Sequence, residues 1–155
     1  MTDRELTRHA LAILAYRGGK PLRGASAAFA AHDTGGGHTP LIILAHLGDL
    51  LAWALTHVKG EAKWVNAAPV SWSAEVDRFY ATLAALDGYL ASDAPIRCDL
   101  GRLLAGPIAD ALTHVGQLMI LRRMSGSPVY GENYFVADIL TGRVGPEQSP
   151  PVRPF

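Results

Sequence analysis

Apolar residues recur along most of this chain at the three-and-four spacing of helices, and no stretch of any length shows the two-residue alternation of strands. Thr2 and Glu5 have the spacing of a capping box, and Leu6, Ala10, Ile13 and Leu14 follow as an apolar stripe. A first helix is therefore predicted from about Asp3 to Tyr16, with Gly18-Gly19 as its stop. Residues 20–40 are mixed. LRGASAAFAAH has the composition for a helical turn or two, and DTGGGHTP reads as a loop. Pro40 suits the first position of a second helix, where its missing N–H costs nothing, and Lys59-Gly60 ends that helix after Val58.

EAKWVNAAPV reads as a connector. A third helix follows, capped by Ser71 or Ser73, with Val76, Phe79, Tyr80, Leu83, Leu86 and Leu90 facing inward. Glu75, Asp77, Arg78 and Asp87 form its expected wet side. A fourth helix begins in DLGRLLAGPIAD, is expected to break or restart at Gly106-Pro107, and runs to Met124 before Ser125-Gly126. Its predicted core side is Ile108, Ala111, Leu112, Val115, Leu118 and Met119. A short helix is expected near Asn133 to Leu140, and the Pro-rich residues 146–155 read as an extended tail to a single domain of residues 1–145. Four main helices sharing one core predict an all-α four-helix bundle.

Composition narrows the function classes. Of 155 residues 49% are hydrophobic and 18% charged, with zero formal net charge, which excludes the composition of a disordered chain. No basic face is available to compensate a phosphate backbone, so nucleic acid is not an expected partner. Cys98 is the only cysteine, which rules out an intramolecular disulfide and fits a reducing cytoplasm. The N-terminal residues lack a signal-peptide pattern. Leu41 to Val58 approaches membrane-spanning length but carries His46, Asp49 and His57, so no membrane span is expected.

Candidate chemistry lies on the two most apolar helices. His46 and Asp49 are three residues apart in LIILAHLGDLLAWALTHV; Asp110 and His114 are four apart in PIADALTHVGQLMIL, with Gln117 one turn on. Such spacings place side chains on one helical face. Imidazoles and carboxylates in apolar surroundings call for a partner or a metal, and two stations on two helices suit a divalent ion. The alternative is structural, with Asp49 or Asp110 simply satisfying each histidine. The polar stripe on the fourth helix is expected to be enclosed or at the mouth of a pocket, and Trp53 is a candidate pocket wall. His32, Asp33 and His38 read as loop residues, Arg122-Arg123 as a helix ending, and Cys98 lacks an activating neighbour in sequence.

At His46-Leu47-Gly48-Asp49 with Trp53, at DALTHVGQLMILRRMSGSPV and at GENYFVADILTGRVG, the chain resembles the DinB/YfiT-like superfamily of metal-dependent enzymes. The resemblance covers most of residues 40–145 and is strongest at His114-Val115-Gly116-Gln117. It implies an up-down-down-up helix connectivity and a tendency to homodimerise. It also implies a metal held by His46, Asp110 and His114; Asp49 and Gln117 are then candidates to orient the ligands or a bound water. The commonest family pattern on the later helix is His-x-x-x-His, from which Asp110 departs. A two-His, one-carboxylate set suits zinc, nickel, iron or manganese. Characterised relatives include thiol-dependent transferases and isomerases, so the implied activity is a transferase using a low-molecular-weight thiol, or a hydrolase, acting on a small molecule. The alternative is a non-catalytic helical homodimer or ligand-binding stress protein that keeps a structural His/Asp cluster.

Overall fold

The computed structural model describes residues 1–33 and 35–155. It is all-helical. Among the described residues there is no strand, only an isolated antiparallel bridge between Glu132 and Pro154. The long helices are α1 (Asp3–Leu22), α3 (Pro40–Lys59), α4 (Trp72–Ala91) and the run α5 (Leu100–Leu103), π-turn (Leu104–Ile108), α6 (Ala109–Met124). A single turn, α2 (Ala27–Ala30), precedes α3 and buries Phe29 edge-on against Trp72.

Local chemistry accounts for most boundaries. Thr2 and Glu5 form the expected reciprocal capping box on α1. Thr39 caps α3 ahead of Pro40, and Gly60 closes it in the left-handed region at φ 84°. Ser71, rather than Ser73, caps α4 by accepting the Ala74 N–H. Asp99 caps α5 by accepting the Arg102 N–H at 3.0 Å.

Two boundaries differ from the sequence expectation. First, α1 runs through Gly18-Gly19 to Leu22. A Cβ on Gly18 would lie 2.9 Å from the Phe79 ring, and one on Gly19 would lie 2.8 Å from the Tyr80 hydroxyl. These glycines therefore let α4 approach α1 closely instead of stopping the helix. Second, the fourth helix is not broken at Gly106-Pro107. A π-turn absorbs Pro107, and the backbone stays right-handed helical at Leu103, Leu104, Ile108 and Ala109. The stretch Leu100–Met124 thereby becomes one helical unit. Like Pro40–Lys59, it is long and apolar enough to cross a membrane by length and composition alone. The helix expected near Asn133 is reduced to one 3₁₀ turn, Tyr134–Val136.

Each long helix packs on two others: α3 on α4 and α6, α1 on α4 and α6. Leu11 and Leu14, Leu44, Leu47 and Leu51, Phe79, Leu83 and Leu86, Ile108 and Leu118 meet in one buried cluster. On α6 the expected core positions Ala111, Val115 and Leu118 are buried, while Leu112 and Met119 are half-buried. The contacts at helix ends are specific. Arg4 near the start of α1 donates to the carbonyls of Ser92 and Ala94, just past the end of α4, and Arg8 pairs with Asp87 at 2.8 Å. Arg122 near the end of α6 is buried and donates to the carbonyls of Pro21 and Arg23 at the end of α1. Arg97, beyond α4, donates its N–H to the Val58 carbonyl near the end of α3.

The expected wet side of α4 is only partly wet. Glu75 and Asp87 are 3% and 6% exposed, because Arg78 and Arg8 respectively neutralise them. At the other end of the chain, residues 146–155 fold back. Phe155 and Asn133 donate their N–H groups to the carbonyls of Gly131 and Arg153. Glu132, buried, pairs with buried Lys20 at 2.6 Å and accepts the Tyr16 hydroxyl at 3.0 Å, fastening this segment to α1.

Candidate metal centre

His46 lies mid-way along α3, where its neighbours Ala45 and Leu47 turn into the core and leave the imidazole on the side facing α6. Asp110 and His114 lie one turn apart on α6, below the π-turn. The structure brings these three together. His46 Nε2 is 3.8 Å from Asp110 Oδ2, and His114 Nε2 is 3.5 Å from Asp110 Oδ1. The two imidazoles meet edge-to-face with ring centroids 4.8 Å apart. One donor atom from each of the three residues falls within 4.8 Å of the other two, a grouping capable of holding a metal ion. Ligand atoms roughly 2.0–2.1 Å from a tetrahedral ion lie roughly 3.3 Å from one another. The carboxylate-to-imidazole separations are already close to that spacing.

Gln117 supplies the most informative contact. Its Oε1 lies 2.9 Å from His114 Nδ1. With the amide oxygen as acceptor, Nδ1 is the donor of this pair, and Nε2 is the nitrogen turned toward the cluster. Gln117 is thus in contact with His114, as their three-residue spacing on α6 allows. Asp49 behaves differently. Its buried carboxylate accepts from Arg78 at 2.8 Å and lies 3.3 Å from the Ala67 N–H, so it is committed to α4 and the connector rather than to either histidine. Arg78 also donates to Glu75 and to the Ala45 carbonyl; burial lowers its pKa, but its hydrogen bonds to the Asp49 and Glu75 carboxylates raise it overall.

The cluster sits at a pocket mouth, with the Asp110 side chain 48% exposed and that of His114 20%. A cavity of about 330 Å³ opens there, lined by His38, Ile43, His46, Asp49, Asn66, Ala67, His114 and Gln117 among others. His38 and Ile43 also line an adjoining hollow with Ile120 and Met124. His38 thus faces the site, although the sequence marks it only as a loop residue. The connector 61–70 folds back along α3 and adds Trp64, whose ring lies 5.7 Å from that of His46 and 5.5 Å from that of Trp53. Nothing in its local sequence signals this, because the contacts depend on where α3 passes.

Trp53 does line a cavity, but a neighbouring one of about 480 Å³ shared with His57, Cys98, Asp99, Arg102 and Pro107. Burial, and then the Asp99 carboxylate, push the Cys98 thiol up from its ordinary value. It is therefore a protonated thiol at neutral pH, in keeping with the absence of a nucleophile signal in sequence. No family model, curated protein or solved structure matches the chain.

Proposed function

We propose that His46, Asp110 and His114 bind one divalent metal ion and that the protein is a DinB-like metal-dependent enzyme acting on a small molecule. The observation that carries this reading is the convergence of three donors from two helices, with the Gln117 amide oxygen against His114 Nδ1. A buried structural histidine needs only one partner. Here two imidazoles and one carboxylate meet at an open pocket, with water access on one side and apolar walls on the other.

The residues fit zinc, nickel, iron or manganese, and such an ion when bound lowers the pKa of a thiol or water that reaches it. The chain's own groups do the rest. His46 and His114 offer ring nitrogens and Asp110 a carboxylate. Gln117 fixes one ring, and Trp64 covers the other from the connector side. The cavity admits a low-molecular-weight thiol or another small substrate, which supports a thiol-dependent transferase, or alternatively a hydrolase.

We further propose an up-down-down-up four-helix bundle. It is supported by α1 beginning beside the end of α4, α6 ending beside the end of α1, and the connector running back along α3 so that α4 starts beside the start of α3. Exposed Ile42, Ile120 and Met124 beside the cluster favour a homodimer, and the single cysteine and neutral charge favour a soluble, cytoplasmic protein without nucleic-acid partners. The same apolar patch favours the second reading, a non-catalytic homodimer.

Titration of the chelator-treated protein with zinc, nickel and manganese by calorimetry tests the site. One saturable ion per chain is expected for the wild type, with binding abolished in folded His114→Ala. Equal binding by both proteins overturns the assignment.

A further inference from the structure

The cavity of about 480 Å³ next to the metal cluster has the size of a small-molecule site and is not used by the reading above. Its walls are apolar: Trp53, Leu103, Pro107 and the protonated Cys98. Its rim carries two opposite charges, Asp99 and Arg102. They are three residues apart, yet among the described residues neither takes part in an ion pair, with the other or with anything else. Asp99 uses Oδ1 to cap the Arg102 N–H, which leaves Oδ2 free. Among the described residues the Arg102 guanidinium donates to no protein group.

A simple anion at this rim meets the Asp99 carboxylate, and a simple cation meets the Arg102 guanidinium. A molecule carrying both charges satisfies both residues. We propose that this cavity binds a small zwitterion of the α-amino acid type. Its carboxylate lies on the fork of Arg102, its ammonium on Asp99 Oδ2, and its apolar side chain against Trp53. His57, edge-to-face with Trp53 at 4.6 Å, steadies that wall.

Trp53 and His46 are seven residues apart on α3, roughly 10 Å along the axis. Trp64 bridges the interval by touching both rings. On the metal reading, the substrate would carry an amino-acid-like head on the Asp99–Arg102 rim and a reacting end past Trp64. That last role rests on the metal reading; the binding itself rests on this cavity alone.

The test is calorimetry on chelator-treated protein with L-leucine, L-phenylalanine, N-acetyl-L-leucine and L-leucinamide. At least one free amino acid is expected to bind saturably, and each blocked leucine to bind about tenfold or more weaker than leucine. Asp99→Asn keeps the helix cap, since Asn caps as well as Asp. It is expected to weaken the free amino acid and leave N-acetyl-leucine unchanged. Arg102→Gln is expected to weaken the free amino acid and leave leucinamide unchanged. His114→Ala is expected to bind the amino acids as the wild type does, so loss of metal and loss of this site are separate results. No saturable binding by either amino acid overturns the proposal, as does equal affinity for the free and blocked forms.

Discussion

At the scale of single residues, the cluster depends on which nitrogen of His114 holds the proton. Gln117 fixes that choice through one hydrogen bond at 2.9 Å, and both side chains are on the outer face of α6. Gln117→Ala removes the acceptor while leaving the core untouched, so thermal stability should hardly change. Metal affinity should fall about 10–100-fold, as for other partners that orient ligating histidines; an unchanged dissociation constant in calorimetry would show that Gln117 has no such part. The Asp110-His114-Gln117 set was legible in sequence because three- and four-residue spacings on a helix translate directly into one face. The role of Asp49 was not legible in the same way. Its partner Arg78 is 29 residues away, and only the packing of α3 on α4 reveals that this carboxylate is spoken for.

At the scale of elements, glycines make the sharpest contrast. Gly18 lies where α1 meets α4 and α6, and an added Cβ would meet Phe79 at 2.9 Å and Val115 at 3.5 Å. Gly88 sits exposed in α4, with nothing within 4 Å of a Cβ. Gly18→Ala should destabilise the protein by about 1–3 kcal/mol through overpacking, despite alanine's better helix propensity. Gly88→Ala should stabilise it by about 0.4–1 kcal/mol. Urea denaturation of both variants checks the pair, and a stabilising Gly18→Ala would mean that the helices are not in the contact described. The same residues explain why the end of α1 was misread. Consecutive glycines are a local stop signal, but the close approach that requires them is a tertiary fact. The π-turn at Pro107 was hidden for a related reason, because a Pro in a helical pattern announces a disturbance without saying how the backbone resolves it. Caps, by contrast, were readable: Thr2, Pro40 and Gly60 do what their types suggest.

At the scale of the whole molecule, the C-terminal segment is fastened to the helices through Tyr16, Lys20 and Glu132. Burial, and then the Glu132 carboxylate, push the Tyr16 hydroxyl up to about 12 from its ordinary 10.0. The folded state thus binds this proton more tightly than the unfolded state. Its contribution is complete below a pH of about 10 and is lost as pH rises through about 12. Denaturation midpoints measured across that window should fall more steeply for the wild type than for Tyr16→Phe; parallel slopes would place Tyr16 outside the cluster. The sequence reading missed this fastening and saw only a Pro-rich tail, since the clustered prolines describe an extended backbone and not what it lies against.

The all-helical architecture followed from apolar periodicity and the shared face of Asp110 and His114 from their spacing; the grouping of His46 with them was implied by the family resemblance, and the cavities around them depend on the connector and on rings brought in from a distance. The most direct measurement is the metal content of wild-type protein purified without a metal-affinity tag, beside folded His46→Ala and His114→Ala. About one transition-metal ion per chain in the wild type, lost in both variants, is the expected result. A wild type that stays metal-free after loading with zinc, nickel and manganese would contradict the metal centre and leave the two histidines as structural residues.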